Sequence, residues 1–409
     1  MYQRNIIHTL YESRKDTPVQ LLIGARQTGK STIAMQVAEE ENLPYRTLDE
    51  ATVLSAASSD PEGFLRGLGD KAIIDEVQRV PELLLAVKYS VDRRREPGRY
   101  FLTGSSNLMT LPRVSDSLSG RVEIQKLRPL SQGELSGSSE GFMDALFEKV
   151  PEIEGDEDAK KLLCRIITGG YPEAVSRSSH SRRTIWFESY VSTVLSRDVR
   201  EVANIEGLTQ LPRLLSLLAS RSGALLNYSE LSNSTAIPQS TLKRYLGIFE
   251  KLFLFEPLPA WVPNRGKRLI KSPKVFLTDT GLASFLLGIS GESFDQSDIF
   301  FGPLLESFVI NELRKQCSWA RTRCRLYHYR TSSGREVDVV AEASDGRLVG
   351  IEVKGRASVK SEHFRGLHAL EEDAGERFVR GIILYNGKHT VSFSERMAAV
   401  PISALWTMT

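Results

Sequence analysis

The chain has 409 residues, 41% of them hydrophobic, which allows two or three domains with full cores. Lys and Arg number 53 against 51 Asp and Glu, so net charge alone selects neither a nucleic acid nor a membrane as partner. No apolar run approaches the roughly 20 residues of a membrane span, and the first residues lack a signal-peptide core.

Three cysteines, Cys164, Cys317 and Cys324, form neither a disulfide framework nor a cluster of metal-ligand spacing. The expectation is a soluble, cytoplasmic protein with reduced thiols and no membrane partner. Taken in order, the first informative stretch is the apolar run Val19 to Ile23, which predicts a buried parallel strand. Ile33, Met35, Val37 and Ala38 follow as one side of a helix. Between them, Gly24, Ala25, Arg26, Gln27, Thr28, Gly29, Lys30 and Ser31 fit G-x-x-x-x-G-K-[ST] at every position. Glycines let backbone N–H groups close around phosphates, and the helix N-terminus adds partial positive charge. Residues Gly24 to Thr32 are therefore the predicted ATP-binding loop. Lys30 reaches the β- and γ-phosphates, and the Ser31 hydroxyl is placed to ligate Mg²⁺.

Hydrolysis requires a second acidic site. Ala72-Ile73-Ile74-Asp75-Glu76 is a short apolar strand ending in two carboxylates, with Asp75 suited to hold Mg²⁺ through water and Glu76 to orient or deprotonate the attacking water. The strand around Tyr100 to Leu102 ends in Thr103, Ser105 and Asn107. Any of these can meet the γ-phosphate or its water, and capping of the next helix is an equal use for them. Arg121, after Ser119-Gly120, is a candidate arginine finger acting across a subunit boundary, which predicts a homo-oligomer.

Together, Arg4, the Gly24–Ser31 loop, Asp75-Glu76-Val77-Gln78, Thr103 to Ser106 and Ser119-Gly120-Arg121 resemble a family of prokaryotic AAA-type P-loop ATPases. The resemblance is close over about the first 135 residues and implies a P-loop NTPase core of parallel strands with helices on both faces. Alternating strand and helix patterns support that α/β class independently.

Ser131 to Asp158, rich in Ser, Gly and acids, reads as a polar linker after this core. Leu162 to Ile167 predicts a helix that stops at Gly169-Gly170-Tyr171-Pro172, an element the resemblance includes without a chemical role. Arg182 to Val202 predicts a helix, with Arg197-Asp198 as a solvated pair. Tyr228 to Leu231 and Pro238 to Leu246 open two further helices. On the second, Leu242, Tyr245, Leu246 and Phe249 share a face while Gln239, Ser240, Lys243 and Arg244 point away. With Phe253-Leu254-Phe255 as a following strand, this is similar to a winged helix over 226–262, usable for DNA reading or for structural packing.

The last informative constellation is Glu336-Val337-Asp338, the turn Ser344-Asp345-Gly346, and Ile351-Glu352-Val353-Lys354. A hairpin centred on Asp345 puts Asp338 opposite Glu352 and Glu336 opposite Lys354, all on one sheet face. Facing carboxylates repel unless a metal or a proton holds them. The arrangement resembles the PD-(D/E)xK nuclease fold over 263–409, although no Pro precedes Asp338. That resemblance implies Mg²⁺ ligation by Asp338 and Glu352 and activation of water by Lys354. It further implies that Glu306, beside the apolar stripe of a helix from Pro303 to Gln316, completes the ligand set. Arg314 to Arg335 and Pro263 to Lys274 are rich in Arg and Lys and hold no acid, with Trp319, Tyr327 and Tyr329 interleaved, which favours nucleic acid.

The sequence thus predicts a Mg²⁺-dependent ATPase whose nuclease-like C-terminal domain acts on DNA. The competing reading is a nucleotide switch whose C-terminal fold binds protein or nucleic acid without cutting. A small-molecule kinase is disfavoured, because no acceptor motif follows the loop.

Overall fold

The computed structural model describes residues 2–105, 120–155, 158–202, 208–268, 271–289 and 294–409. It divides into two compact units, one of Arg4–Pro129 with Ile248–Phe253, the other built from Leu130–Gly247 and Leu254–Thr409. No helix among the described residues is long and apolar enough to cross a membrane.

The first unit is organised on a five-stranded sheet of β1 (Val19–Ile23), β2 (Tyr45–Thr47), β3 (Ala72–Asp75), β4 (Tyr100–Gly104) and β5 (Val122–Lys126). All its pairings are parallel and the spatial order is β2-β3-β4-β1-β5. Every residue of β1, β3 and β4 is buried, as expected where both faces of a parallel sheet are covered. The register fixes where the chemistry emerges. Ile23 lies beside Gly104, and Thr47 beside Asp75, so the carboxyl ends of β1, β3 and β4 deliver their loops to one edge. That edge is where ligands bind in open α/β sheets.

In the second unit, the first part of the stretch expected to be a polar linker is helical. Ser131 and Glu134 form a reciprocal capping box on helix Gln132–Ser136, and helix Phe142–Glu148 buries Phe142, Met143, Leu146 and Phe147. Composition misled here because the cap and the apolar face outweigh the intervening glycines and serines. The Gly169-Gly170-Tyr171-Pro172 element has a packing role. The Gly170 amide donates to Asp279 Oδ2 at 2.7 Å, and a Cβ on Gly170 would sit 2.2 Å from the Leu130 carbonyl oxygen. Tyr171 is fully buried with its hydroxyl 3.0 Å from that of Tyr190. Helix His180–Thr193 runs on through a π-helical turn, Val194–Asp198, in which Asp198 is buried rather than solvated.

Helices Tyr228–Thr235 and Gln239–Lys251 occur with the expected faces. Leu242, Tyr245, Leu246 and Phe249 are buried, while Gln239, Ser240, Lys243 and Arg244 are exposed. The strand anticipated at Phe253–Phe255 is replaced by a turn. Phe253 adopts φ 57°, which breaks an extended run, and Phe255 makes a single bridge to Leu277.

A six-stranded mixed sheet follows, ordered β10-β11-β9-β8-β7-β6. Its strands are β6 (Cys324–Arg330), β7 (Glu336–Ala343), β8 (Leu348–Lys354), β9 (Phe378–Tyr385), β10 (Val391–Ser392) and β11 (Met397–Pro401). The β7–β8 hairpin uses the register read from the sequence, Val339 opposite Ile351 through Glu342 opposite Leu348. Helix Arg365–Ala374 places Leu367 and Leu370 in one core cluster with Val337, Val340 and Trp261. Helix Phe301–Gln316 is buried along nearly its whole length, which commits polar side chains such as Asn311, Glu312, Arg314, Lys315 and Gln316 to the interior.

Candidate functional site

The loop after β1 has the geometry that the motif requires. A Cβ on Gly24 would lie 2.2 Å from the Leu127 carbonyl oxygen, so only glycine lets the loop pass the chain leaving β5. Gln27 and Gly29 both take positive φ, 62° and 97°, and helix Lys30–Glu40 starts at once. Thr28 Oγ1 ties the loop to itself by donating to the Ala25 carbonyl at 2.9 Å. Lys30 is buried, its Nζ donating to the carbonyls of Gly24 at 3.0 Å and Ala25 at 2.8 Å. The ammonium is thus held inside the loop by neutral acceptors. Arg4 clamps the same loop from outside, donating to the Thr28 carbonyl at 2.7 Å and to that of Arg128 at 2.6 Å.

At the ends of β3 and β4, Asp75 and Glu76 are both buried. Thr103 joins the two strands, donating through Oγ1 to Asp75 Oδ1 and accepting from the Glu76 amide at 3.1 Å. The other oxygen, Asp75 Oδ2, accepts from the Tyr45 hydroxyl at 2.9 Å. Burial and the adjacent carboxylate push the Tyr45 phenol above its ordinary range, which keeps it a donor. Glu76 sits at φ 60°, ψ 43°, a left-handed conformation that costs a non-glycine residue about 1–3 kcal/mol and clusters at functional sites. Gln78 donates to Glu76 Oε2 and, at 2.8 Å, to Ser105 Oγ, so it bridges the acid to the end of β4. Among the candidate γ-phosphate contacts, Thr103 and Ser105 therefore serve the acid pair, and Asn107 and Ser106 lie outside the described residues.

Tyr45 and the bridging role of Gln78 were missed from sequence. Gln78 was visible within Asp75-Glu76-Val77-Gln78, but Tyr45 sits on another strand and carries no local signal. Arg121 is not brought to this edge. It precedes Val122, which pairs with Val19 at the opposite end of the sheet, and its guanidinium is bonded to Asp92. The donor set at the loop edge, the Ser31 hydroxyl and the Asp75 carboxylate beside a phosphate-binding loop, consists of hard oxygens of the kind Mg²⁺ takes.

In the second unit the fold gathers Glu306, Asp338, Glu352 and Lys354, and adds Lys274. Lys274 Nζ lies 2.7 Å from Glu306 Oε1 and 3.5 Å from Asp338 Oδ1. Lys354 Nζ is 2.8 Å from Glu352 Oε1. Asp338 Oδ2 accepts from the Val353 amide at 2.9 Å, while Glu352 Oε2 is buried without a hydrogen-bond partner. Glu336, anticipated near Lys354, pairs with Arg330 at 3.0 Å. Burial, then repulsion from Asp338, raises the Glu306 carboxyl to about 8 and that of Glu352 to about 7. Burial works to lower Lys274, but Glu306 and Asp338 outweigh it and hold the ammonium protonated above its usual range. Among the described residues, no group of three His, Cys, Asp or Glu is arranged to hold a metal ion. The set Glu306, Asp338 and Glu352 is therefore not closed as a metal cage, because ammonium groups already lie against its carboxylates.

Much of the basic run is also structural. Arg268 makes a two-pronged pair with Glu342 at 2.5 and 3.1 Å, with both groups buried. Arg314 donates to the carbonyls of Glu256 and Pro257, and Lys315 to that of Leu130 and to Glu312 Oε1. Tyr327 and Tyr329 are buried, so they offer no stacking surface. Lys271, Arg321, Arg323, Arg325, Arg330 and Arg335 stay exposed. The nucleic-acid signal is smaller than the sequence suggests because charge along a chain does not reveal which residues meet buried acceptors.

The parallel sheet and its loop define the first unit as an AAA-type P-loop ATPase core. Residues 16–136 match a family model described as an AAA domain, in agreement with nucleotide binding and hydrolysis. Residues 159–293 and 301–405 match two domains of unknown function, DUF8612 and DUF4143. An uncharacterized protein of Mycobacterium tuberculosis is 31% identical over 391 residues, 95% of this chain and 81% of that one. The chain belongs to the family of that mycobacterial protein. An uncharacterized protein of Methanocaldococcus jannaschii is 26% identical over 71% of this chain and 66% of its own. Among solved structures, a Walker-type ATPase of Pyrococcus abyssi is 16% identical, with 70% of this chain and 96% of that one covered and a TM-score of 0.41.

Proposed function

We propose that the chain is a Mg²⁺-dependent ATP hydrolase whose nucleotide cycle acts on DNA through its second unit. The observation that carries the ATPase reading is the network joining Asp75, Glu76, Thr103 and Gln78 at the strand edge that bears the Gly24–Ser31 loop. Residues Gly24 to Thr32 hold the phosphates, with Lys30 exchanging the Gly24 and Ala25 carbonyls for phosphate oxygens. Ser31, and Asp75 through water, would hold Mg²⁺, which when bound offsets phosphate charge. Glu76 orients the attacking water or takes its proton, and Thr103 keeps both acids in place. Arg121 acts on a neighbouring copy in a homo-oligomer, after leaving Asp92. The DNA reading is supported by the exposed polar face Gln239, Ser240, Lys243 and Arg244 and by the arginines that remain exposed near β6.

ATP turnover by wild type, Lys30→Ala and Glu76→Gln, each with and without duplex DNA, tests this. The expected outcome is turnover that DNA changes, abolished by Lys30→Ala and lowered about 10²–10⁴-fold by Glu76→Gln with ATP still bound. Undiminished turnover in Lys30→Ala overturns the ATPase assignment. A second reading, a switch whose C-terminal fold binds without cutting, is favoured by the position of Lys274 among the carboxylates.

A further inference from the structure

A sheet that presents Asp338, Glu352 and Lys354, with Glu306 from a neighbouring helix, needs positive charge at its centre. Buried carboxylates close to one another are stable only when paired or liganded. In the nuclease-like reading that charge is a divalent metal. In this chain the position beside Glu306 and Asp338 belongs to an ammonium, with Nζ 2.7 and 3.5 Å from their oxygens.

The ammonium is built in. The backbone of Lys274 is bonded in both directions to Leu258, its amide donating at 2.9 Å and its carbonyl accepting at 2.9 Å. Pro273 accepts from the Leu226 amide at 2.8 Å, and Val275 donates to the Ala224 carbonyl at 2.9 Å. The side chain is only 6% exposed. A lysine on a flexible surface loop can swing away when a metal arrives, but one whose backbone is paired on both sides and whose stem is buried has nowhere to go without unpacking its surroundings. Lys354, whose side chain is 32% exposed, also lies on Glu352, at 2.8 Å.

We infer that Lys274 supplies from within the chain the positive charge that a divalent metal gives to such a carboxylate cluster, so that the second unit is a non-cleaving binding fold. The inference deepens the non-cutting reading above and rests on that reading of the second unit. It is independent of ATP. The unit keeps the shape of a metal-dependent site but is neutralised without a metal, so its contribution to the nucleotide cycle is recognition rather than bond breaking.

The test uses full-length, nucleotide-free protein and Mn²⁺, with bound ion counted by the loss of the free-ion electron paramagnetic signal. Wild type and Asp338→Asn are expected to bind Mn²⁺ alike, because no ion uses Asp338 while Lys274 is present. Lys274→Met is expected to gain one site at least tenfold tighter than any in wild type, and Lys274→Met with Asp338→Asn to lose it again. A wild-type site that Asp338→Asn removes overturns the inference, and so does a folded Lys274→Met protein that gains none. If Lys274→Met does not fold, the wild-type and Asp338→Asn pair decides alone. Because the cation is counted in the absence of ATP, failure here leaves the ATPase assignment untouched, and loss of ATPase activity would leave this result untouched.

Discussion

Both units bring a lysine and buried carboxylates together, but they hold them in opposite ways. At the nucleotide edge, Lys30 rests on two peptide carbonyls and Asp75 is held by two hydroxyls, Thr103 and Tyr45. Peptide carbonyls and hydroxyls are among the partners that fix this geometry. In the C-terminal cluster, Lys274 and Lys354 lie directly on Glu306 and Glu352, so each of these carboxyl groups already has an ammonium against it. The same residue types thus make a site that is poised in one place and closed in the other. The choice of second partner decides which.

Substitution at Asp75 is expected to have the largest effect on activity. Asp75→Asn keeps the shape but removes the charge, and ATP turnover should fall about 10²–10³-fold in a steady-state assay. A smaller fall would mean that the hydroxyl-held acid is not the one the reaction uses. For stability the two lysines should separate. Lys274→Met leaves Glu306 and Asp338 uncompensated and should cost about 3–5 kcal/mol in urea unfolding of the second unit. Lys30→Met gives up hydrogen bonds to two carbonyls and should cost about 1 kcal/mol in the first unit. Equal losses would break the comparison.

Thr103→Val removes the group that serves both Asp75 and the Glu76 amide. About 1–3 kcal/mol should be lost from the first unit, seen as a lower melting temperature, together with reduced turnover. A last effect concerns pH and a buried acid outside both sites. Glu140 accepts from Ser131 Oγ and from the Gly133 amide at 3.0 Å. Burial, then the charge of Glu312, raises its carboxyl from an ordinary 4.5 to about 8. A raised folded-state value means the stabilising proton is fully held below about 4.5 and lost as pH rises through about 8. Stability of the second unit should decline across that window, and Glu140→Gln should lessen the decline, to which Glu306 and Glu352 also contribute. An unchanged slope in unfolding measured from pH 5 to 9 would place the titration elsewhere.

The parts legible in the sequence are those whose determinants are local. Gly24 to Ser31 is contiguous, β1, β3 and β4 announce themselves as apolar runs, and one turn at Asp345 sets the hairpin register. Determinants drawn from distant segments were not legible. Lys274 looked like one charge in a basic run because its partners, Glu306 and Asp338, lie on a later helix and strand. Ser131–Glu134 was hidden by a composition typical of linkers, although the cap itself is a four-residue pattern. Tyr327 and Tyr329 alternate with arginines as a stacking surface would, yet the face they occupy turns inward onto helix Arg365–Ala374, where the Tyr329 hydroxyl donates to the Ala369 carbonyl.

Arg4 has a mechanical consequence. Its guanidinium spans the carbonyls of Thr28 and Arg128, a span between the phosphate loop and the segment that follows β5. Displacing Arg4 would therefore disturb the Gly24–Ser31 loop and the segment after β5 together. Two backbone points far apart in the sequence thus share one side chain, and a single substitution at Arg4 would loosen both.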